Sequence, residues 1–115
     1  MCIRDRRYVK RGEVWLTQVG KKRRPVLVLT RDEVLDVRAL VTVAEITTSM
    51  RGLAAEIPLD HEAVGLHQES AVNCDGLHTI PQTMLTELVG TLEPPMLNQV
   101  CSAIGYALGC LPGDR

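Results

Sequence analysis

Four consecutive cations, Lys21, Lys22, Arg23 and Arg24, are the residues of this sequence whose type and spacing most directly suggest chemistry. They stand immediately before Pro25, where an apolar run begins. An arginine guanidinium stays charged at every accessible pH, and its planar fork matches two oxygens of one phosphate. Two interpretations follow: a cradle for phosphate groups, or a solvated turn whose cations bind nothing.

Other reactive groups are sparsely placed. The three histidines, His61, His67 and His78, lie outside any nucleophile-elbow pattern, which argues against a hydrolytic triad. Residues 60–62 (DHE) are a local candidate for a metal site, but an exposed polar loop is the simpler interpretation. No glycine-rich phosphate loop is present in the sequence. We therefore expect neither a metal nor another cofactor.

The cysteines and the hydropathy pattern indicate a cellular compartment. Cysteines stand at positions 2, 74, 101 and 110, and none of them forms a C-x-x-C pair, which argues against a zinc site or a thioredoxin-type motif. The sequence has no apolar run of about 18 residues that could span a bilayer. The arginines near the N-terminus precede no apolar secretory segment. These features predict a reduced, cytoplasmic protein with no membrane partner.

Charge is divided unevenly along the chain. Residues 1–51 hold 12 of the 13 lysines and arginines together with six acids, whereas residues 52–115 hold one basic residue and eight acids. The net charge of −1 therefore conceals a basic half and an acidic half. This asymmetry favours a polyanion as partner, although the two halves could equally pair with each other in the fold.

The elements that must position the cations are mostly short strands. Apolar, β-branched runs separated by turn residues predict strands at 13–19, 25–30, 39–47, 54–59, 70–74 continued at 77–80, and 88–92. Residues 20–24 are expected to form a turn. Short helical turns are expected at 31–37 and after Pro81.

A helix is predicted after the last strand. From Pro94 onwards apolar residues recur with the helical period, which indicates an amphipathic helix of about four turns that ends at Gly109 or Pro112. Strands that follow one another without helical crossovers pair antiparallel. The 115 residues suffice for one domain with one core. The prediction is a small, mainly β antiparallel barrel with a C-terminal amphipathic helix.

The first six residues do not resemble the rest of the chain. Residues 1–6 (MCIRDR) back-translate to ATG TGT ATA AGA GAC AGR, which resembles the end of a transposon used to prepare sequencing libraries. We therefore expect residues 1–6 to be non-native read-through and residues 7–115 to form a single domain.

Six short segments, in order along the chain, form a recognisable pattern: residues 11–16 (RGEVWL), 23–30 (RRPVLVLT), 43–48 (VAEITT), 69–72 (ESAV), 77–80 (LHTI) and 89–92 (VGTL). Together they resemble the MazF/PemK family of toxin endoribonucleases. The helix that follows stands at the expected spacing. The resemblance covers residues 9 to 111, nearly the whole chain.

This resemblance implies a fold, an activity and partners. The fold would be an SH3-like barrel of the PemK and CcdB type, assembled as a homodimer. The activity would be metal-independent cleavage of single-stranded RNA at a short preferred sequence, through the substrate's own 2′-hydroxyl. A cognate antitoxin would neutralise the toxin. Arg24 matches the family's catalytic arginine, and Thr47 matches its catalytic threonine.

Several further residues are expected to contact RNA. The flanking phosphates would be held by polar side chains beside the catalytic pair, and these are Lys21, Lys22, Arg23, Thr48, Ser49 and His78. Alternatively these are ordinary surface residues. Trp15 and Tyr8 could stack on bases, although a strand tryptophan more often lies in the core. Glu45 could orient Arg24 or merely balance its charge.

Two features depart from the family pattern. The segment before Pro25, residues 20–24, is only five residues long, whereas many members have a longer loop there. His78 stands where many members have an arginine, and Gly76 stands where they have a glutamine. We therefore expect a different sequence preference. A protein-binding poison of similar architecture, such as a gyrase-directed toxin, and a degenerate inactive toxin are the alternative hypotheses.

Overall fold

A computed structural model of the chain describes residues 9–110 except residues 20, 36, 53 and 54. Its strands are β1 (Glu13–Val19), β2 (Lys22–Val28), β3 (Leu40–Thr47), β4 (Glu56–Pro58), β5 (Ala71–Pro81) and β6 (Leu85–Thr91). Its helices are α1 (Asp32–Leu35), a 3-10 turn (Gln82–Met84) and α2 (Pro94–Ala107). The expected non-native segment, residues 1–6, lies outside the described residues.

The strands form one antiparallel sheet in the order β4-β5-β3-β2-β1-β6. Consecutive strands are adjacent for most of this order because no helical crossover separates them. The predicted mainly β fold with a C-terminal helix is confirmed. Within the described ranges the ladder runs from β4 to β6 and does not close, so the sheet is a barrel only in a loose sense.

Alternate residues of each strand point to opposite sides of the sheet. Both sides carry a cluster of buried apolar residues. We call one side the helix face; its buried residues include Val14, Leu27, Ala44 and Val72, and Val100 of α2 packs against them. We call the other side the groove face; its buried residues include Trp15, Val26, Val28, Val41 and Val43. The alternation along β3 therefore divides its residues between two apolar clusters.

The hairpin between β1 and β2 differs from the prediction for residues 20–24. Val19 pairs with Lys22, Gln18 with Arg23 and Thr17 with Arg24, so β2 begins three residues before Pro25. The predicted turn was therefore wrong at residues 22–24. The reason is that β1 has enough residues to extend the ladder past the proline, which leaves only residues 20 and 21 between the strands.

β5 is a single strand that contains the predicted break as a bulge. Ala44 of β3 pairs with Leu77, but the next residue, Glu45, pairs with Asn73. Residues 74–76 of β5 are thus extra on that side of the ladder. The bulge lets one long strand pair with β3 along its whole length and also with β4.

The C-terminal helix follows its prediction closely. α2 begins at Pro94 and ends at Ala107, and Gly109 has a φ of 70°. Glycine adopts this left-handed conformation without the steric cost that a Cβ brings, so it suits the end of a helix. The helix packs against β5 and β4 through its apolar stripe. β6 begins at Leu85, three residues earlier than predicted.

Candidate active site

A groove of about 450 Å³ lies at one end of the groove face, where the pairing of β2 with β3 stops. The last pair in that ladder is Val26 with Glu45. Beyond it Arg24 on β2 and Thr47 on β3 continue on the same face, and both line the groove. His78 of β5 lines it as well. Three strands thus bring together polar residues that are up to 54 positions apart in the chain.

Arg24 is positioned by the β1–β2 hairpin. It stands directly opposite Thr17, whose buried hydroxyl donates a hydrogen bond of 2.8 Å to the carbonyl of Met84. The backbone of Arg24 is therefore held by its pairing with β1, while its side chain is exposed. Among the described residues no carboxylate pairs with the Arg24 guanidinium. Its charge is available to a ligand.

Thr47 ends β3 at the edge of the groove. The amide of Ser49 donates to the Thr47 Oγ1 at 3.0 Å, which uses one lone pair of the oxygen and fixes the hydroxyl's position. The hydroxyl hydrogen remains available to donate to a ligand. Thr48 and Ser49 are exposed in the segment that follows. The predicted pair of Arg24 and Thr47 therefore shares one groove.

Glu45 and His78 form a second polar group in the groove. The Glu45 Oε2 lies 2.5 Å from the His78 Nε2, and each side chain is about half exposed. His78 is opposite Val43 in the β3–β5 ladder, and Glu45 follows Val43 by two residues, so both side chains are on the groove face. The residue that Glu45 contacts is thus His78, and not Arg24 as one of the sequence hypotheses had it.

The remaining cations are distributed differently from the prediction of one continuous cradle. Lys21 and Lys22 are exposed, at the turn and at the first residue of β2. Arg23 points away from the face of Arg24 and forms an ion pair with Glu87 of β6. None of these three side chains lines the groove. They immediately precede Arg24 in the chain.

Trp15 belongs to the core. Its side chain is packed in the groove-face cluster at 6 % exposure, and its indole Nε1 donates to Glu13 Oε1 at 2.9 Å. The core interpretation is therefore the correct one, and Trp15 is not exposed for base stacking. Tyr8 lies outside the described residues.

Metal-binding and reactive-thiol chemistry find little support in the described ranges. There, no three histidine, cysteine, aspartate or glutamate side chains come together as a metal site would require. Burial raises the pKa of the Cys74 thiol to about 11, which disfavours the reactive thiolate. None of the helices described has the length and apolar character of a membrane span.

The groove combines groups that suit reactions at phosphorus. An unpaired guanidinium supplies fixed positive charge, a hydroxyl supplies a hydrogen-bond donor, and a carboxylate–imidazole pair can exchange a proton. All of these groups line the groove that a negatively charged ester would enter. Arg24 and Thr47 were predicted as a pair from the sequence, and both line the groove. The contact between Glu45 and His78 was not predicted, although both residues had been considered individually.

Comparison with known proteins identifies relatives along most of the chain. A family model for the PemK-like, MazF-like toxin of type II toxin–antitoxin systems matches residues 10–108. The endoribonuclease MazF3 of Mycobacterium tuberculosis is 46% identical over 86 residues, which cover 75% of this chain and 82% of that protein. A second M. tuberculosis protein, named "Probable endoribonuclease MazF2", is 35% identical over 102 residues, which cover 89% of this chain and 100% of that protein.

Solved structures give the same result for the fold. The M. tuberculosis toxin MazF-mt6 superposes with a TM-score of 0.78 at 41% identity, covering 84% of this chain and 96% of that one. A mycobacterial endoribonuclease, solved in complex with its cognate antitoxin, superposes with a TM-score of 0.80 at 22% identity, covering 90% and 97%. At that identity the second likeness shows a common fold.

Proposed function

This chain belongs to the PemK-like, MazF-like family of toxins of type II toxin–antitoxin systems, and from that membership we propose that it is an endoribonuclease that cleaves single-stranded RNA. The observation that carries this proposal is the unpaired Arg24 guanidinium beside the Thr47 hydroxyl in one groove. A binder that only recognises a protein surface does not need a free cation and a hydroxyl in this arrangement.

The proposed chemistry uses a nucleophile that RNA itself supplies. The 2′-hydroxyl attacks the adjacent phosphorus, and negative charge accumulates on the phosphate oxygens in the transition state. Arg24 stabilises that charge, and the Thr47 hydroxyl donates to one of the oxygens. An arginine can thereby supply the charge neutralisation that a metal ion provides in other nucleases. The products are a 2′,3′-cyclic phosphate and a 5′-hydroxyl.

The RNA strand on either side of the scissile phosphate needs partners as well. Lys21 and Lys22 are exposed cations next to Arg24, and the hydroxyls of Thr48 and Ser49 follow Thr47. We assign these four residues to phosphate contacts. Arg23 can join them only by giving up its ion pair with Glu87. Binding through such contacts releases counterions and weakens as salt rises.

The proposed assembly is a homodimer that a cognate antitoxin neutralises. One mycobacterial structural relative was solved with its cognate antitoxin, as its description states. Cleavage of cellular RNA would arrest translation and growth, so we place the toxin in the cytoplasm with its substrate. Light scattering should give about twice the chain mass of 12.7 kDa; a monomer at micromolar concentration would contradict the homodimer.

The decisive experiment is cleavage of a long single-stranded RNA with and without EDTA. We expect cleavage in both conditions, with cyclic phosphate and 5′-hydroxyl ends. A substrate carrying deoxyribose at the mapped scissile position should resist cleavage, because it lacks the nucleophile. Cleavage of an all-DNA strand, or products with 5′-phosphates, would overturn the mechanism. Growth arrest without RNA cleavage would instead favour a poison that binds a protein.

A further inference from the structure

The proposed reaction needs a group that takes up the 2′-hydroxyl proton, and Arg24 is a poor choice for it. A guanidinium stays protonated throughout the accessible pH range, so it stabilises charge but does not readily accept a proton. Of the residues that line the groove, Glu45 and His78 carry the side chains of a type that can accept one. These two are in contact with each other.

We propose that His78 is the base that accepts this proton and that Glu45 positions it; the inference rests on the proposed endoribonuclease function. A neutral imidazole carries hydrogen on one ring nitrogen and accepts on the other. Glu45 Oε2 lies 2.5 Å from Nε2, so the carboxylate holds the hydrogen on that nitrogen. The lone pair of Nδ1 is left for the substrate, and Glu45 fixes both the tautomer and the ring orientation.

Gly76 makes room for this pair. A Cβ placed on Gly76 would lie 2.9 Å from the Glu45 Oε1 and 3.0 Å from the Glu45 Cδ. Any side chain at position 76 would therefore push the carboxylate out of its present position. Gly76 is in the β5 bulge, between Asn73, which pairs with Glu45, and Leu77, which pairs with Ala44. The bulge and the glycine together leave room for the Glu45 carboxylate beside β5.

The step balances without an additional reactant. The 2′-O–H bond breaks as its proton passes to Nδ1, and the 2′-oxygen forms a new bond to phosphorus. The P–O5′ bond breaks with its electron pair on O5′, which takes a proton from water. The imidazolium then returns its proton to the resulting hydroxide, so that no net water is consumed. The half-exposed position of His78 gives that proton a path to solvent.

Chemical rescue is the first test. On a long single-stranded RNA, His78→Ala should lower the single-turnover cleavage rate by about 10²- to 10⁴-fold, and added imidazole should restore part of it. His67→Ala, which alters an exposed loop histidine, is the control and should change neither the rate nor the response to imidazole. A His78→Ala protein that is folded and cleaves at the wild-type rate would overturn the proposal. So would a loss of rate that imidazole does not restore, which would indicate a packing or phosphate-binding role.

A sulfur substitution tests whether His78 accepts or donates the proton. In a short RNA spanning a mapped cleavage site, O5′ is replaced by sulfur, which leaves without needing a proton. If His78 is the base, His78→Gln should remain defective on this substrate by a similar factor. Full recovery of His78→Gln on the sulfur substrate would mean that the histidine protonates the leaving group, and the assignment as base would be wrong.

The positioning role of Glu45 has its own readout. Glu45→Gln should lower kcat by about 10-fold or more with little change in KM, because the amide can favour the wrong tautomer. Gly76→Ala keeps both side chains but displaces the carboxylate, and it should lower kcat in the same direction. Glu62→Gln, at an exposed acidic residue outside the groove, is the control. A rise in KM without loss of kcat for Glu45→Gln would contradict positioning and indicate substrate binding.

The outcomes also separate this inference from the function on which it rests. If the wild-type chain cleaves RNA and Arg24→Ala does not, but His78→Ala is fully active, the endoribonuclease assignment holds and the role of His78 fails. If the wild-type chain cleaves no RNA in a transcriptome-scale panel, the proposed function fails, and this inference fails with it.

Discussion

The two faces of the sheet are built from the same strands but differ in chemistry. On the helix face, Leu27, Ala44 and Val72 are each fully buried beneath α2. On the groove face, each contributing strand is apolar over one part and polar over another: Val26 and Val28 are followed back along β2 by Arg24. Because successive strand residues point to opposite faces, one residue can pack in the core while its neighbour in the chain faces the groove.

The polar ends of the strands meet because the strands run antiparallel. β2 carries its polar end at its start and β3 at its finish, and antiparallel pairing brings a start and a finish to the same edge. β5 adds His78 beside Val43. The ladder between β2 and β3 stops at this edge, which opens the groove. The position of the candidate site is therefore a consequence of where strand pairing ends, and it lies on one face only.

The largest effect is expected from a substitution of Arg24. We expect Arg24→Ala to reduce RNA cleavage by about 10²- to 10³-fold, because one preformed charge partner of the transition state is removed. The side chain is exposed, so the free energy of unfolding should change by less than about 1 kcal/mol. Cleavage assays and thermal melts on the same protein check both expectations.

Arg24→Lys is the matched control for charge. A lysine keeps the positive charge but lacks the planar fork, so this variant should also be weak. Loss of activity together with an unfolded Arg24→Ala protein would mean that Arg24 itself is needed for stability, as the buried residues of the helix face are.

A substitution on the helix face should lower stability and leave the cleavage rate unchanged, which is the reverse of the effect expected for Arg24→Ala. Leu27 is fully buried one strand position from Val26, so Leu27→Ala should lower the free energy of unfolding by about 3 kcal/mol. The cleavage rate per folded molecule should not change. Leu88→Ala is the control, because that leucine is 49% exposed and should cost less than about 0.5 kcal/mol. Chemical denaturation, combined with active-site titration, separates folded fraction from intrinsic rate.

Much of the fold followed from local patterns. The bounds of the strand at 13–19 and the Pro94 start of α2 were predicted correctly, because local composition and proline placement determine them. The start of β2 was not, since pairing with β1 overrides the turn preference of a run of charged residues. The open course of the sheet depends on long-range pairing, which no local pattern encodes.

The candidate site was predictable in part. The sequence identified Arg24 and Thr47 through a resemblance, and both line the groove. It did not identify the contact between Glu45 and His78, because 33 positions separate them and a bulge sets their register. The signal was available only as a break in the strand pattern at Gly76. Arg23 was grouped with its neighbours by adjacency, although strand alternation places it on the other face.

A smaller effect, on RNA affinity and its salt dependence, should distinguish Lys22 from Arg23. Lys22 is exposed, and we assign it a phosphate contact. Lys22→Ala should therefore lower affinity for a deoxy-substituted RNA by about fivefold at 0.1 M salt. It should also reduce the slope of log affinity against log salt concentration by about 0.7. Arg23→Ala should change the slope less, because Glu87 already neutralises that side chain. Fluorescence anisotropy over a salt series measures both. Equal slopes for the two variants would contradict the division of the cations between faces.

The smallest predicted effect concerns the helix face at high pH. Burial raises the pKa of Cys74 from 9.0 to about 11, so the folded protein keeps this proton where the unfolded chain releases it. Between pH 9 and pH 11 the unfolded state binds fewer protons, and stability therefore falls as pH rises. The loss assigned to Cys74 is about 0.8 kcal/mol at pH 9.5. Denaturant unfolding of wild type and Cys74→Ala at pH 7.5 and 9.5 should show a smaller pH-dependent loss of unfolding free energy in the variant. Equal losses in the two proteins would mean that the thiol is not buried in the core.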